Sequence, residues 1–388
     1  MALPLSYNVR NLRVRWQVTL LAVMGIALVV AALAVLMAMS EGFATALRST
    51  GRTDNAIVVQ RGSGSELTSG VPIDQRNLII VDERVARGQD GQPLMSPEWV
   101  VVLNLPKKDG QPTNVTLRAV TQKAFEVRGG IEIVGGRTFT PGLDEVIVGR
   151  KLVDRLEDVD LGKKVKYQRK EFNVVGVFAS QGGAFESEIW GDFDVLGQEF
   201  QRGAGSNSLV VRVKDPSQIP ALDRWIRAQP QMQLQAVEER KYYEDQAGPL
   251  ARALRALAMF VAFVMGIGAV FGAMNTMYAI VAQRTREVGT LRALGFKRRA
   301  ILLAFVIESV FLALVGGAIG CLLAMPMNGF STGTGQTQSF SEIAFAFRIT
   351  PQIVMSGMAL AALLGLIGGL LPALRASRLP ITTALREA

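Results

Sequence analysis

Histidine is missing from all 388 residues of this chain. Its absence removes the usual general base near neutral pH and the commonest zinc ligand, so imidazole catalysis and a histidine-built metal centre are both excluded. Cysteine occurs once, as Cys321. No intrachain disulfide can form, and a domain facing an oxidising compartment would have to stand on its own core. Neither a G-x-x-x-x-G-K-[ST] phosphate loop nor a G-x-G-x-x-G after a strand is present. If ATP drives this protein, another chain hydrolyses it. No nucleophile and base pair stands out either, which makes a membrane enzyme the least favoured class.

Apolar length is what the chain has in quantity. Hydrophobic residues make up 49% of it, and four runs, Val18–Met39, Leu254–Val281, Ile301–Met325 and 351–374, reach the roughly 20 helical residues a bilayer core requires. The expected fold is an integral α-helical membrane protein with four transmembrane helices and a large α+β extracytoplasmic domain between the first and second. The expected divisions are an interface helix over 1–17, spans over 18–39, 251–282, 301–325 and 351–374, and an external domain with stalk ends over 40–250. A basic segment over 283–300, an external loop over 326–350 and a tail over 375–388 complete the chain.

Charge fixes the expected orientation. The net +9 conceals 27 Lys/Arg against 29 Asp/Glu between Glu41 and Leu250, and 15 against 4 in the remainder. The basic excess flanks membrane segments, so nucleic acid is not needed to explain it. Leu5, Val9, Leu12 and Trp16 share one helical face, the pattern of a helix lying in the lipid interface, while Arg10, Arg13 and Arg15 hold the N-terminus in the cytoplasm. The run that follows is longer than the 7–15 residues, roughly, of a signal-peptide core, so it reads as an uncleaved span.

Between Glu41 and Leu250 the pattern turns to short β-branched segments bounded by Gly, Pro, Asp or Asn. Strands are expected at Ala56–Gln60, Leu78–Val81, Trp99–Leu105, Val115–Val120, Glu145–Val148, Val165–Tyr167, Phe172–Phe178 and Leu209–Val213. A hairpin turn is expected at Lys107–Gly110. Helices are expected at Gly149–Glu157 and, after the Asp215-Pro216 breaker, at Ile219–Ala228 with Leu222, Trp225 and Ile226 inward. The Ser/Gly-rich stretch Arg61–Gly70 reads as a mobile loop. From Tyr242 a helix should run unbroken into the second span and form, with Glu41–Arg48, a two-helix stalk.

The segment Gln283–Ala300, QRTREVGTLRALGFKRRA, sets six Lys/Arg against Glu287 alone, which places it in the cytoplasm. Val288, Leu291 and Leu294 recur at helical spacing, so the segment is either a docking helix with an apolar stripe or a loop that only orients its neighbours. Its order of residues decides between them by resemblance. The run NTMYAIVAQRTREVGTLRALGFKRRAI, Asn275 to Ile301, resembles the end of the second span and the coupling helix of permeases in the MacB/FtsX-like family of ABC transporters. GGRTFTPGLDEVIVGRKLVDRL, DLGKKVKYQRKEFNVVGVFAS and SLVVRVKDPSQIPALDRWI are similar to that family's periplasmic core domain. Arg61–Asp90 and Phe185–Asn207 are the stretches the likeness covers least.

The resemblance implies a permease subunit without its own nucleotide-binding domain. Arg284, Thr285, Arg286, Glu287, Val288, Gly289, Leu291, Leu294 and Gly295 would couple it to a dimer of ABC ATPase subunits, which would hold the ATP and magnesium. A second permease copy, identical or related, a periplasmic adaptor and membrane lipids are the other partners implied. The place implied is the bacterial inner membrane with both termini cytoplasmic.

Within the spans, the pairs Gly268/Gly272, Gly316/Gly320 and Gly365/Gly369 permit close helix approach, as expected of a tight bundle within a dimer. Asn275 and Glu308 are the polar residues that stand out there. Glu308 reads as a carboxylate meeting Arg298, Arg299 or a neighbouring helix, or alternatively as one step of a proton relay. Three functions remain open: an exporter subunit moved by a partner ATPase, an FtsX-like regulator that activates an external enzyme without transport, and a proton-driven secondary transporter.

Overall fold

A computed structural model of the chain describes residues 16–167, 170–335 and 341–380. The interface helix expected over 1–17 lies almost wholly outside the described residues, and so does the end of the tail, 381–388. The chain opens on α1 (Trp16–Arg48) and enters β1 (Asn55–Gln60), α2 (Ile73–Ile80), β2 (Met95–Pro106), β3 (Pro112–Val120), α3 (Lys123–Arg128), β4 (Glu132–Gly136), β5 (Glu145–Gly149) and α4 (Arg150–Val153). It continues through β6 (Lys164–Tyr167), β7 (Lys170–Ala179), β8 (Glu188–Asp192), α5 (Phe193–Glu199), β9 (Ser208–Arg212), α6 (Ile219–Ala228) and β10 (Leu234–Glu238). Then come α7 (Glu239–Gln283), α8 (Thr285–Ala293), α9 (Arg298–Ala324), the hairpin β11 (Ser331–Gly335) and β12 (Glu342–Ala346), and α10 (Pro351–Arg378).

These elements form two compact units. One holds 16–41, 252–330 and 347–380; the other holds 42–251 and 331–346. Among the described residues four helices are long and apolar enough to cross a membrane, and the first unit holds α9, α10 and most of α1 and α7. Its core sets Ile26, Val30 and Leu33 of α1 against Ala258, Ala262 and Ala269 of α7, Ala313 and Cys321 of α9, and Ala361 and Leu364 of α10. Alanines on the facing helices let the backbones approach where lipid offers no hydrophobic drive. α10 starts at Thr350-Pro351, the Thr350 hydroxyl accepting from the Ile353 amide at 3.4 Å. Glu41 of α1 and Arg255 of α7 pair at 3.5 Å.

The second unit is a mixed sheet in the order β10-β1-β9-β2-β3-β8-β5-β7-β4, with β6 added to β7. Only β3/β8 and β5/β7 are parallel. β2 explains why the sheet has two cores. Its first residues, Met95 to Glu98, pair with β9, and from Trp99 onward it pairs with β3. Ala56, Val58, Leu209 and Val211 thus pack with Leu222 and Ile226 of α6, while Leu103, Leu117, Val148, Phe172 and Ile189 pack with Leu196 of α5. α6 spans the residues expected, with Ile219, Leu222 and Ile226 buried at helical spacing.

Four expectations are corrected. Leu78–Val81 is not a strand: Ile73–Ile80 is helical, led by Pro72, and buries Ile79 alone. One apolar cluster of four residues fits either period. The helix expected at Gly149–Glu157 is confined to Arg150–Val153. Arg61–Gly70 is not a free loop, because Ser65, Glu66 and Ser69 are buried. The connection over 326–350 is not a plain loop either. Its hairpin joins the second unit, where Glu342 pairs with Lys107 at 2.8 Å and with Arg155. There Phe345 meets Phe43 edge-on, with centroids 5.5 Å apart, and the Ala344 amide donates to the Ser187 hydroxyl at 2.9 Å. Gly42 is required at this place, since a Cβ would strike the carbonyl of Ala346. In the same unit the ends of the two long helices meet through Arg48 and Glu244 at 3.0 Å.

Candidate coupling site and its ion pairs

α8 is a short helix joining two long ones, and its two faces have different fates. Val288 and Gly289 are buried, Val288 in a cluster with Met277 and Val281 of α7, Ile301 and Phe305 of α9, and Ala373 and Ala376 of α10. Thr285 turns its hydroxyl back to the carbonyls of Val281 and Ala282. Arg286, Glu287 and Thr290 are exposed, Leu291 is half-buried, and Leu294 is 72% exposed. The stripe foreseen through Val288, Leu291 and Leu294 therefore turns from the bundle outward. Gly295 ends the segment at φ +92°, a left-handed conformation that favours glycine.

Arg284 fastens this segment. It is 8% exposed, donates from Nη1 to Glu308 Oε2 at 2.8 Å, and has Nε 3.7 Å from Glu287. Of the partners expected for Glu308, namely Arg298, Arg299 or a neighbouring helix, the two arginines are exposed. Nine or ten residues along one helix separate them from Glu308 by roughly 14 Å, beyond side-chain reach. A neighbouring segment supplies the cation, so the pair pins the base of α8 to α9.

The glycine pairs divide in the same way. A Cβ on Gly316 or Gly320 would strike the α1 carbonyls of Val23 or Ala27, and one on Gly365 or Gly369 would strike α9 at Ala313 or Ser309. Ser309 Oγ also donates to the carbonyl of Gly365 at 2.7 Å. Gly268 and Gly272 would meet nothing within 4 Å. With exposed Asn275 they lie along an outer face of α7 that also carries Phe260, Val264 and Phe271. Gly320→Leu is expected to cost the bundle about 1–3 kcal/mol by overpacking, and Gly272→Leu about 0.5 kcal/mol at most in a single chain. Thermal unfolding of the two variants in detergent checks the contrast.

Sequence reading missed a cluster of buried charge in the second unit. There Arg118 donates from Nε to Glu188 at 2.7 Å, from Nη1 to Glu98 at 2.7 Å and from Nη1 to Glu66 at 2.9 Å. Arg128 donates to Glu98 at 2.9 Å and pairs with Glu239. Asn55 Nδ2 reaches Glu239 at 2.9 Å, Trp190 Nε1 reaches Glu188 at 2.8 Å and Ser208 Oγ reaches Glu66 at 2.6 Å. Both arginines are 2% exposed, and Phe185 lies under both guanidinium groups. Burial, the largest single effect, would raise Glu66; the charge and hydrogen bonds of Arg118, with the charge of Arg128 and the Ser208 hydroxyl, together outweigh it and leave that carboxyl below its ordinary range. Glu98 stands where β2 passes from β9 to β3, and Glu239 is the first residue of α7. Charged residues inside β-branched strands were the available signal, but the cluster joins residues up to 184 positions apart.

Two family models match the chain. One, for a MacB-like periplasmic core domain, covers residues 19–229, and the other, for an FtsX-like permease C-terminal domain, covers residues 259–381. A macrolide export ATP-binding/permease protein MacB of Brucella abortus (strain 2308) is 28% identical over 232 residues, which are 56% of this chain and 34% of that protein. An uncharacterized ABC transporter permease, YknZ, of Bacillus subtilis (strain 168) is 34% identical over 147 residues, 37% of this chain and 35% of that one. The chain thus spans about a third of the length of these relatives. The crystal structure of the periplasmic region of MacB from Actinobacillus actinomycetemcomitans is similar at 13% identity and a TM-score of 0.37, over 52% of this chain and 96% of that one.

Proposed function

The chain belongs to the family of ABC transporter permeases that combine a MacB-like periplasmic core domain with an FtsX-like permease domain, and from that premise we propose that it couples ATP hydrolysis in a separate ATPase subunit to shape change outside the inner membrane. The observation that carries this reading is the division of α8. Its inner side is held to α9 and α10 through Val288 and the pair Arg284–Glu308, while Arg286, Glu287 and Leu294 face outward. An ATPase dimer seated on that outer side would push on the bundle through a fastened helix. The basic bias of the segment supports a cytoplasmic position for it and for both chain termini.

Long helices carry the motion in this proposal. α1 and α7 each run from one unit into the other without a break. The face of Gly268, Gly272 and Asn275 would receive a second permease copy, and Gly272→Leu should then abolish self-association while sparing the single chain. The cargo would be hydrophobic, lipid-like, peptide or antibiotic, taken up outside the bilayer. A hydrophilic solute crossing through the spans fits less well, because charged groups in the bundle interior are few and paired. The relative named for macrolide export supports an exporter; the FtsX-like C-terminal match equally admits a regulator of an external enzyme.

A mild-detergent pull-down of the full chain, with mass spectrometry, tests the reading. A nucleotide-binding subunit should come with it, and Leu294→Glu should reduce its recovery at least tenfold. Preparations with no ATPase would overturn the proposal. A cell-wall hydrolase recovered in place of an adaptor would favour the regulator.

A further inference from the structure

The second unit also contains an open cleft of about 510 Å³ that plays no part in coupling. Its volume falls in the range of small-ligand sites. Gln60, Gln75, Gln231 and Gln233 line it with Trp99 and Ser206, and no charged side chain does. The walls come from remote stretches joined by a bridge: the Val71 amide donates to the Ser206 carbonyl at 2.7 Å, and the Ser206 amide to that of Val71 at 3.0 Å. These two stretches, within Arg61–Asp90 and Phe185–Asn207, are those that carry none of the family-like motifs.

Two polar atoms in the lining lack partners among the described residues. Ser206 is 1% exposed, and its Oγ accepts and donates nothing. Gln75 donates from Nε2 to the Gln231 carbonyl at 2.9 Å, yet its Oε1 is unpaired. A buried hydroxyl left unpaired costs free energy that a bound partner would recover.

We propose that this cleft binds a short, uncharged peptide segment in extended form. Each glutamine carboxamide offers a donor and an acceptor together, the complement of a backbone amide. Pro72, exposed on the rim, gives the same cleft apolar surface for a small aliphatic side chain. The absence of charge disfavours ionic ligands, which would lose hydration without a counter-charge. A sugar fits less well, because the Trp99 ring is already engaged, stacked with Phe193 at 6.4 Å between centroids and with the Arg202 guanidinium 5.5 Å from its centre. The inference stands independently of the ATPase reading, since binding needs no partner subunit.

The test is calorimetry of the full chain in detergent against an acetylated, amidated alanine-valine tetrapeptide, its analogues carrying aspartate or lysine, and a neutral trisaccharide. The uncharged peptide should bind, and each charged analogue at least tenfold more weakly. Ser206→Ala should weaken it about tenfold. Gly70→Trp, at an exposed position where a Cβ meets nothing nearer than Gln60 Oε1 at 4.0 Å, should abolish it with thermal unfolding unchanged. Absence of peptide binding, preference for the trisaccharide, or binding that survives Gly70→Trp would each overturn the proposal.

Discussion

Arg118→Met is expected to unfold the external unit. Its guanidinium serves Glu66, Glu98 and Glu188 at once and is 2% exposed. Methionine matches the bulk of the stem but leaves three carboxylates facing one another in a buried place, where only Arg128 still neutralises Glu98. Removing one partner of a single buried pair costs about 3–5 kcal/mol, and a domain holds only about 5–15 kcal/mol in total. The loss should therefore consume most of the margin. Arg118→Lys should fall between, because an ammonium is a point charge that cannot fork towards three acceptors. An exposed pair is the control: Lys164 and Glu171 lie 3.0 Å apart with side chains 60% and 47% exposed, and Lys164→Ala should cost under about 1 kcal/mol. Urea unfolding followed by tryptophan fluorescence reads all three. A midpoint for Arg118→Met within error of the parent would mean that the cluster is not holding the unit together.

Arg284→Gln is expected to cut the ATPase stimulation proposed for this chain at least tenfold. Glu308 would lose its 2.8 Å partner inside the helical bundle, at a cost of about 3–5 kcal/mol for the charge left behind. Glu308→Gln should do less harm, since Arg284 keeps Glu287 as a neighbour at 3.7 Å. The double variant Arg284→Gln with Glu308→Gln should recover most of the lost stability, because no uncompensated charge remains. Proton transport makes the opposite forecast. Under it, Glu308→Gln abolishes activity at every pH and the second substitution restores nothing. Thermal unfolding and ATPase rates of the three variants, measured side by side, separate the two.

What could be read from the chain followed its local periods. α6 was legible because Asp215-Pro216 sets its start and Ile219, Leu222 and Ile226 keep one face. The long apolar helices were legible for the same reason: lipid imposes a length that residues must fill. β8 was not, because EIWGD begins with an acid and ends in Gly-Asp, which normally marks a turn; its Glu188 is tolerated because Arg118, 70 residues away, meets it. The hairpin STGTG with EIAFA carried no strong strand signal in its first half, and its place is decided by Lys107 and Arg155. In the coupling segment, spacing identified a helix but not which side faced out. The choice of Arg284 over Arg298 as the partner of Glu308 depends on how neighbouring helices pack, and helical spacing carries no record of that.

The hairpin Ser331–Ala346 has a consequence for biosynthesis. Residues 42–251 leave the ribosome before it, yet they lack Phe345 against Phe43 and the carboxylate that meets Lys107 and Arg155 until the third span has been inserted and the hairpin delivered. Maturation of the external unit is thereby tied to insertion of the third span, and a nascent chain stalled before it keeps an apolar slot open to chaperones and proteases. A fragment ending at Ala251 would carry that same unfilled slot for as long as it existed.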